Sequence, residues 1–493
     1  MNVLLVYPEF PDTYWSFRHA LSFEGKRSAF PPLGLLTISA MLPADWNRRL
    51  VDMNIRDIRL RDIEWADVVF CSAMAVQRDS LKRVVALSKS RGKRVVVGGP
   101  YVSTTADNLP DVDHIFVGEA EETLPGFLRD LECGEGRRVY KATERPALSA
   151  TPLPHFKLAS LKHYSSMSVQ YSRGCPFQCE FCDIIEIYGR VPRTKSNEQM
   201  LAELDALHQT GWRGPVFIVD DNFIGNKRNV KNFLPELAEW SKRHGRPFPF
   251  FTEASVNLAD DDDLLELMRR AGFYRVFLGI ETPVKESLKE AQKGQNMRSD
   301  LLQSVRKVQS YGMEVMAGFI IGFDNDPDDI FERQVNFIRE SAIPLAMVGL
   351  LTALPQTQLW RRLQREGRLL QESTGNNTDC SLNFIPRMDP KRLIEDYKSV
   401  LRTIYSPGEY YRRALECLKR VPPTTQPQYN HPIRDLTTLM RVFLTLGVRD
   451  GERSKFWRYM GRVATSHRET FARAVVLAAM GYHFRKLTEE YCR

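Results

Sequence analysis

The chain has 493 residues, 43% hydrophobic and 26% charged, with a formal net charge of +8. That length is too great for one ordinary core, so two or three domains are expected, and the composition excludes a disordered chain. No run reaches 18 apolar residues, which excludes a membrane-spanning helix.

The charge is uneven. From Arg412 to Arg493 there are 16 Lys/Arg against 7 Asp/Glu, a balance of +9, while the rest of the chain carries −1. The first residues, Met1 to Pro8, form a buried-strand pattern with no basic leader, so no signal peptide is expected. The eight cysteines make no disulfide framework of the secreted kind, which fits a reducing, cytoplasmic setting.

Residues 1–145 alternate short apolar runs with helical stretches. Val3–Val6 is followed by Leu35–Met41, Arg49–Met53, Val68–Ser72, a helix over Ser80–Ser90, Arg94–Val97 and Ile115–Val117. Continuously apolar strands with helices between them predict an α/β domain with a doubly wound, Rossmann-like parallel sheet. In such sheets ligands bind outside the carboxyl ends of the strands. The runs Ser72-Ala73-Met74, Gly98-Gly99-Pro100 and Gly118-Glu119-Ala120-Glu121 lie there, with glycines that let backbone approach a ligand. No G-x-G-x-x-G follows Val6, which disfavours a dinucleotide.

Residues 146–164, with Pro146, Pro152 and Pro154, read as a linker. A second α/β series fills 165–374. Its strand candidates are Ser168–Tyr171, Val216–Val219, Phe248–Thr252, Arg275–Gly279, Glu314–Ile320 and Ala346–Leu351. Its helix candidates are Ser196–Thr210, Val230–His244, Asp261–Ala271, Asp300–Tyr311 and Asp328–Ser341, several with Ser or Asp at the N-cap. Six strand–helix units fall short of eight, which predicts an incomplete (β/α)6 TIM-like barrel. Its open side would accept a large substrate or a neighbouring cofactor domain. Residues 375–493 lose strand signals and read as a helical domain over Pro390–Leu418, Pro432–Leu446 and Lys455–Glu490, with a Pro-rich turn at Val421–Pro427.

The most specific motif opens the second series. Cys175, Cys179 and Cys182 stand in C-x3-C-x2-C spacing. Three thiolates on one short loop hold three irons of a [4Fe–4S] cube and leave the fourth open for a chelating cofactor. Structural zinc is the alternative, but it wants four ligands, usually as two pairs, and no second pair is present. Cys71, Cys133, Cys380, Cys417 and Cys492 are scattered and make no auxiliary cluster.

In parallel barrels functional residues gather at the carboxyl ends of strands. Asp220-Asp221-Asn222-Phe223 follows the second barrel strand, Glu253 ends the third and Glu281 follows the fourth, beside the cysteine loop in chain topology. A sulfonium cofactor with an α-amino group and a ribose needs such acceptors. Tyr188, beyond Cys182, is placed either in the cavity or packed beside the loop.

With these residues in place the chain resembles the cobalamin-binding radical S-adenosylmethionine (SAM) enzymes, and within them the hopanoid C-2 methylases. The resemblance is carried by Phe30-Pro31-Pro32-Leu33-Gly34, Trp65-Ala66-Asp67-Val68-Val69, Cys179-Glu180-Phe181-Cys182-Asp183-Ile184 and Tyr188-Gly189-Arg190. It continues in Val219-Asp220-Asp221-Asn222-Phe223-Ile224-Gly225-Asn226, Gly279-Ile280-Glu281-Thr282-Pro283 and Ser310-Tyr311-Gly312-Met313-Glu314-Val315.

The resemblance implies that Cys175, Cys179 and Cys182 hold a [4Fe–4S] cluster, and that Phe181, Asp220, Asp221, Glu253, Glu281 and Ile320 contact SAM. It implies a catalytic role for Tyr188, and cobalamin cradled by Ser72, Met74, Gln77, Gly98, Gly99, Pro100, Gly118 and Glu119. The D-x-H-x-x-G run of another cobalamin pattern is absent, so no histidine is expected on cobalt. The implied activity is methylation of an unactivated carbon of a hopanoid-like or other apolar substrate, with methylcobalamin as methyl carrier and a flavodoxin or ferredoxin as reductant. One alternative is a cobalamin enzyme of this class that rearranges or cyclises without methyl transfer. Another is an RNA-modifying protein with a basic tail, although the tail's aromatics fall in helical patterns and no RNA-binding motif accompanies them. The same tail permits peripheral contact with the inner membrane face.

Overall fold

The computed structural model describes residues 1–105, 109–376, 378–423 and 432–492. Its first sheet is built from β1 (Asn2–Tyr7), β2 (Asn47–Asp52), β3 (Val68–Ser72), β4 (Arg94–Gly98), β5 (His114–Val117) and β6 (Val139–Lys141). All pairs are parallel and the spatial order is β2-β1-β3-β4-β5-β6, so the strand order reverses around β1. Val3, Leu4, Leu5 and Val6 are each 0% exposed, because helices cover both faces. Leu4, Val6, Val69, Val95 and Val97 feed one core, and Val3, Leu5, Val68, Phe70 and Val96 feed the other. The apolar run Leu35–Met41 lies within the helix Leu33–Met41, packed on the second core. The edge strand β6 carries no pattern that marks it in the sequence: it has three residues, of which Tyr140 alone is buried.

The second sheet is an open barrel of β7 (Met167–Val169), β10 (Val216–Ile218), β11 (Phe250–Ala254), β12 (Phe273–Glu281), β13 (Glu314–Ile321) and β14 (Leu345–Leu350), all parallel and in sequence order. Between β7 and β10 a small antiparallel ribbon, β8 (Ser172–Arg173) with β9 (Arg193–Thr194), frames the cysteine loop. The linker winds through the short turns Leu148–Ala150, Phe156–Leu158 and Leu161–His163. The C-terminal region is helical over Pro390–Ile404, Pro407–Arg420, Pro432–Leu444, Arg453–Ser466 and Phe471–Tyr491. Pro407 sits in a first helical turn, which divides the predicted Pro390–Leu418 helix in two. The Pro-rich turn Val421–Pro427 lies in part outside the described residues.

The open side of the barrel lies between β7 and β14, as expected of six strand–helix units. The chain's own N-terminal segment fills it. Residues near Ser28 pair with the approach to β7 through Ser165 N to Ser28 O and Ser166 N to Ala29 O, both 3.0 Å. On the opposite edge, the hydroxyls of Tyr14 (3.0 Å) and Tyr397 (2.9 Å) both donate to Val348 O, and that of Tyr405 donates to Ala346 O at 2.5 Å. An edge strand left bare exposes unpaired backbone groups, and here tyrosines from both ends of the chain cap β14. Tyr14 then stacks on Phe484 of the last helix, while Phe17 meets His483 at a tilt and Phe484 edge-on.

Two hydroxyls on one carbonyl predict a non-additive pair. Tyr14→Phe or Tyr397→Phe alone leaves Val348 O one donor and costs little. The double variant leaves a buried acceptor bare and costs about 1–3 kcal/mol beyond the sum of the single losses, measured as a double-mutant cycle in thermal unfolding.

Candidate functional site

The cysteine loop is shaped by backbone constraints. Gly174 has φ +94°, and a Cβ there would lie 2.9 Å from Gly189 O and 3.0 Å from Val191 O, so only glycine fits. Cys175 N bonds Gly189 O (3.2 Å), and Cys182 N bonds Cys179 O (3.2 Å). Glu180 braces the loop from inside: its backbone bonds Ala291 O and Leu359 N, and its carboxylate takes both arms of Arg362 at 2.7 and 3.1 Å.

The three thiols are half-buried and face donors. Asn222 Nδ2 reaches Cys175 Sγ at 3.6 Å, and Gln295 Nε2 reaches Cys179 Sγ at 3.7 Å. Burial pushes the Cys182 thiol well up, with the charges of Asp183, Cys179 and Asp221 adding to it. Burial likewise raises Cys175. Lys293, itself buried, pairs with Glu281, lies over the Phe181 ring at 5.8 Å and feels the charges of Cys179 and Cys182. Three sulfurs among N–H donors and an ammonium suit an anionic cluster. They do not supply zinc's fourth ligand.

Period-2 alternation along the strands puts Asp221, Glu253 and Glu281 on the inward face of β10–β12. Neither Asp221 nor Glu253 has an ion pair among the described residues. Burial, then the charges of Asp220 and Asp183, lifts Asp221 to about 7. Burial, then Asp221 and Asp220, lifts Glu253 to about 8. Glu281 stands in the left-handed region at φ +64°, at an irregularity in the β12–β13 register. Asn296 holds that kink by donating to Gly279 O and Ile280 O, both 2.9 Å, and Gln334 donates to Glu281 O at 3.0 Å. A Cβ on Gly279 would sit 2.6 Å from both Glu281 Oε1 and Lys293 Nζ. Phe181 and Ile320 meet in one small apolar cluster with Phe323 and Leu351.

Asp220, unlike its neighbour Asp221, is engaged by the chain itself. Its carboxylate is 1% exposed and accepts from Tyr171 N and Ser172 N (2.8 Å each) and Ser172 Oγ (2.7 Å). It ties the end of β10 to the entry of the cysteine loop, with three of its acceptor positions taken by the chain itself.

The carboxyl ends of the first sheet face this loop. Gly99 (φ +97°) and Gly118 (φ +90°) keep their backbones bare, with a Cβ at Gly99 only 2.7 Å from Ser72 Oγ. Ser72, Gly98, Pro100 and Gly118 are half-exposed there and Met74 is 40% exposed. Gln77 is 0% exposed: it braces the loop through Met74 N at 2.9 Å and Pro8 O at 2.5 Å, so it is not on the crevice surface. Glu119 is also turned away from the crevice. Its two oxygens take Arg173 and Arg193, each at 2.6 Å, while Arg173 reaches Glu121 at 2.8 Å. The carboxylate side chains are 3% and 4% exposed. Burial opposes the Glu121 charge, but Arg173 holds that carboxyl below its ordinary range. Tyr188 lies at this junction, its hydroxyl raised by burial among the charges of Arg173, Asp221, Glu119 and Glu121.

Sequence pattern missed Lys293, Gln295, Asn296, Arg173, Arg193 and Arg362. Each acts through a partner remote in sequence, and of the six only Arg173 falls at the carboxyl end of a strand, where its partners Glu119 and Glu121 belong to another domain.

Removing Arg173 leaves Glu121 and half of Glu119 buried without a counter-charge. Arg173→Met should cost about 3–5 kcal/mol and speed proteolysis within 146–164, while Arg173→Met with Glu121→Gln recovers part of the loss in urea unfolding. Glu253 has its own pH signature. Its native pKa of about 8 stands above the ordinary 4.5, so the native state holds a proton that the unfolded chain releases. Its contribution to stability is present at pH 4 and falls as pH rises through 8. Glu253→Gln should therefore match wild type near pH 4 and exceed it near pH 8 by about 1–3 kcal/mol, read from melts of the cofactor-free protein.

Comparison with known proteins bears on both halves. A model of the B12-binding domain matches residues 27–128, the radical SAM superfamily model matches 169–338, and a domain of unknown function, DUF4070, matches 357–493. The chain is 44% identical to an uncharacterised methyltransferase, sll1242, of Synechocystis sp., over 99% of this chain and 92% of that one. It is 37% identical to the hopanoid C-2 methylase of Rhodopseudomonas palustris, over 93% and 88%. Two solved structures share the fold. TsrM of Kitasatospora setae, with cobalamin and a [4Fe–4S] cluster bound, gives a TM-score of 0.65 at 14% identity with 100% of both chains covered. OxsB, with aqua-cobalamin and SAM bound, gives 0.64 at 16% identity, covering 99% of this chain and 80% of that one. The chain belongs to the B12-binding radical SAM family that contains the Synechocystis and Rhodopseudomonas proteins.

Proposed function

We propose that this protein is a cobalamin-dependent radical SAM C-methyltransferase acting on an unactivated carbon of a hopanoid-like or other apolar substrate. The observation that carries it is the opposition of two crevices: a three-thiol loop on the barrel and a glycine-lined strand-end surface, locked face to face by buried ion pairs. We draw the functional units at 1–145, 165–374 and 375–493, joined by 146–164.

When bound, the [4Fe–4S] cluster, SAM and cobalamin supply hydrogen-atom abstraction and a methyl group. Cys175, Cys179 and Cys182 would hold the cluster, with Asn222 and Gln295 donating to the sulfurs. Asp221, Glu253 and Glu281 would accept from the amino and ribose groups of SAM. A cation there favours the charged carboxylates, against the burial that now holds Asp221 and Glu253 above their ordinary values. Phe181 and Ile320 would bound the adenine. Ser72, Met74, Gly98, Gly99, Pro100 and Gly118 would bear on cobalamin, and Tyr188 would stand between the two cofactors with its proton retained.

The barrel interior supports an apolar substrate. Phe217 and Phe251 stack at 4.7 Å, and Trp15 closes on Phe277 at 5.4 Å and Phe217 at 6.3 Å, with Phe30 beside them. These rings share the inward face with the carboxylates one or two steps beyond them towards the carboxyl end of each strand, a dry floor beneath a polar rim. A flavodoxin or ferredoxin is the proposed reductant.

The test is anaerobic turnover after reconstitution with iron and sulfide. Wild type should form 5′-deoxyadenosine and S-adenosylhomocysteine together with a methylated product, and Cys179→Ala should form neither. 5′-Deoxyadenosine without matching S-adenosylhomocysteine would move the assignment to rearrangement or cyclisation. Loss of a methylated polycyclic lipid from a deletion strain would identify the substrate.

A further inference from the structure

The C-terminal helices carry an exposed apolar stripe that nothing in the proposed chemistry uses. Leu436, Met440, Leu444 and Val448 recur every fourth residue and are 58%, 55%, 50% and 59% exposed. They run along the helix Pro432–Leu444 and its continuation Thr445–Arg449, a length of about 18 Å. The inner side of the same helix is already satisfied, with Val442 at 0% and Leu446 at 3% exposure. A surface helix ordinarily carries polar residues on its outer side, and single exposed apolar residues need no explanation, but a continuous row does.

Trp457 extends the row. It is 49% exposed, leans on Gly447 and Phe443, and its indole N–H already donates to Gly447 O at 2.8 Å. What it shows to solvent is hydrocarbon.

Charge decides what covers such a surface. Arg449, Arg453, Arg458 and Arg462 are exposed around it and make no ion pair among the described residues. The acidic groups between the two helices are already matched: Glu452 pairs with Lys455 at 2.7 Å, and Asp450 pairs with Arg485. An apolar row edged by unmatched arginines, with a tryptophan beside it, complements a bilayer whose headgroups are anionic and whose interior is hydrocarbon. We propose that this face docks the protein on an anionic lipid surface, with Leu436, Met440, Leu444, Val448 and Trp457 entering the interface and the four arginines meeting lipid phosphates. The inference deepens the proposed function, since an apolar polycyclic substrate resides in lipid, but the docking itself requires no cofactor.

The experiment is sedimentation of the full-length, cofactor-free protein with two vesicle preparations: phosphatidylcholine alone, and phosphatidylcholine with about one-third phosphatidylglycerol. Wild type should sediment with the anionic vesicles, weakly or not at all with the neutral ones, and should be released by about 0.5 M salt. Met440→Ser with Leu444→Ser and Val448→Ser should lower binding at least about tenfold, and Arg453→Gln or Arg458→Gln about fivefold each. Unchanged melting temperatures would show that these variants fold. The proposal is overturned if wild type ignores both vesicles, or if the triple serine variant binds as wild type does. It is also overturned if wild type is a dimer that the serine variant converts to monomer, since a second copy would then cover the stripe. None of these outcomes touches the turnover assay, so docking and methyl transfer fail or stand separately.

Discussion

The structure turns on a desolvated charge cluster. Arg173 and Arg193 leave the ribbon that frames the cysteine loop and enter the carboxylates of Glu119 and Glu121 at the end of β5. Burying four charges gains little net free energy over a well-packed apolar contact, because each must be stripped of water. What it gains is direction. A forked guanidinium accepts few orientations of its partner, whereas apolar surfaces slide. Two further contacts make the attachment three-pointed. Gln356 donates to Thr104 O at 2.9 Å, and Gly375 lies so close to Ala75 and Val76 that a Cβ would fall 2.7 Å from Val76 N. The edges where both sheets end are thereby fixed at one separation.

Inside the barrel the same physics runs the other way. Asp221 and Glu253 are half-buried near one another with no ion pair among the described residues, and each is driven towards its neutral form. Glu281 alone has a counter-charge, in Lys293, and holds it only by adopting a left-handed backbone beside an obligatory glycine. Residues arranged for folding alone would avoid this. Unmatched carboxylates and local strain gathered at one strand-end rim are what the proposed binding of a cationic ligand there requires, with stability surrendered for binding.

Much of this was legible in the sequence because its physics is local. The six barrel strands are apolar runs between capped helices, and all six are present near their expected bounds. Period-2 alternation also puts Glu253 and Asp221 on one face. What was not legible depends on partners far apart in the chain. Asp220 and Asp221 are adjacent and chemically alike, yet one is consumed by the backbone of Tyr171 and Ser172 while the other faces inward. Glu119 sits at a strand end of the kind that cradles ligands, and only the positions of Arg173 and Arg193, 54 and 74 residues away, turn it into a tie. Nor does counting strands show what fills a missing one. The N-terminal segment reaches both free edges of the barrel through contacts that no periodicity encodes.

The C-terminal region reaches each of these features, which argues against its being an appendage. Over the span matched by the third family model, 357–493, Arg362 on the helix Gln358–Arg365 holds Glu180 inside the cysteine loop, Gly375 presses on the turn beside Met74, and Tyr397 and Tyr405 cap β14. The last helix meets the N-terminal segment at Tyr14 and Phe17. The inner surfaces of these helices therefore set the geometry of the cluster loop, the strand-end crevice and the barrel seam at once. An element so constrained on its inner side has only its outer side free to vary with the surroundings in which the enzyme works. On these helices that outer side carries a continuous apolar row beside arginines with no ion pair among the described residues. The proposed lipid docking uses only that outer side, so it can be removed without disturbing the contacts that hold the cysteine loop and the barrel seam.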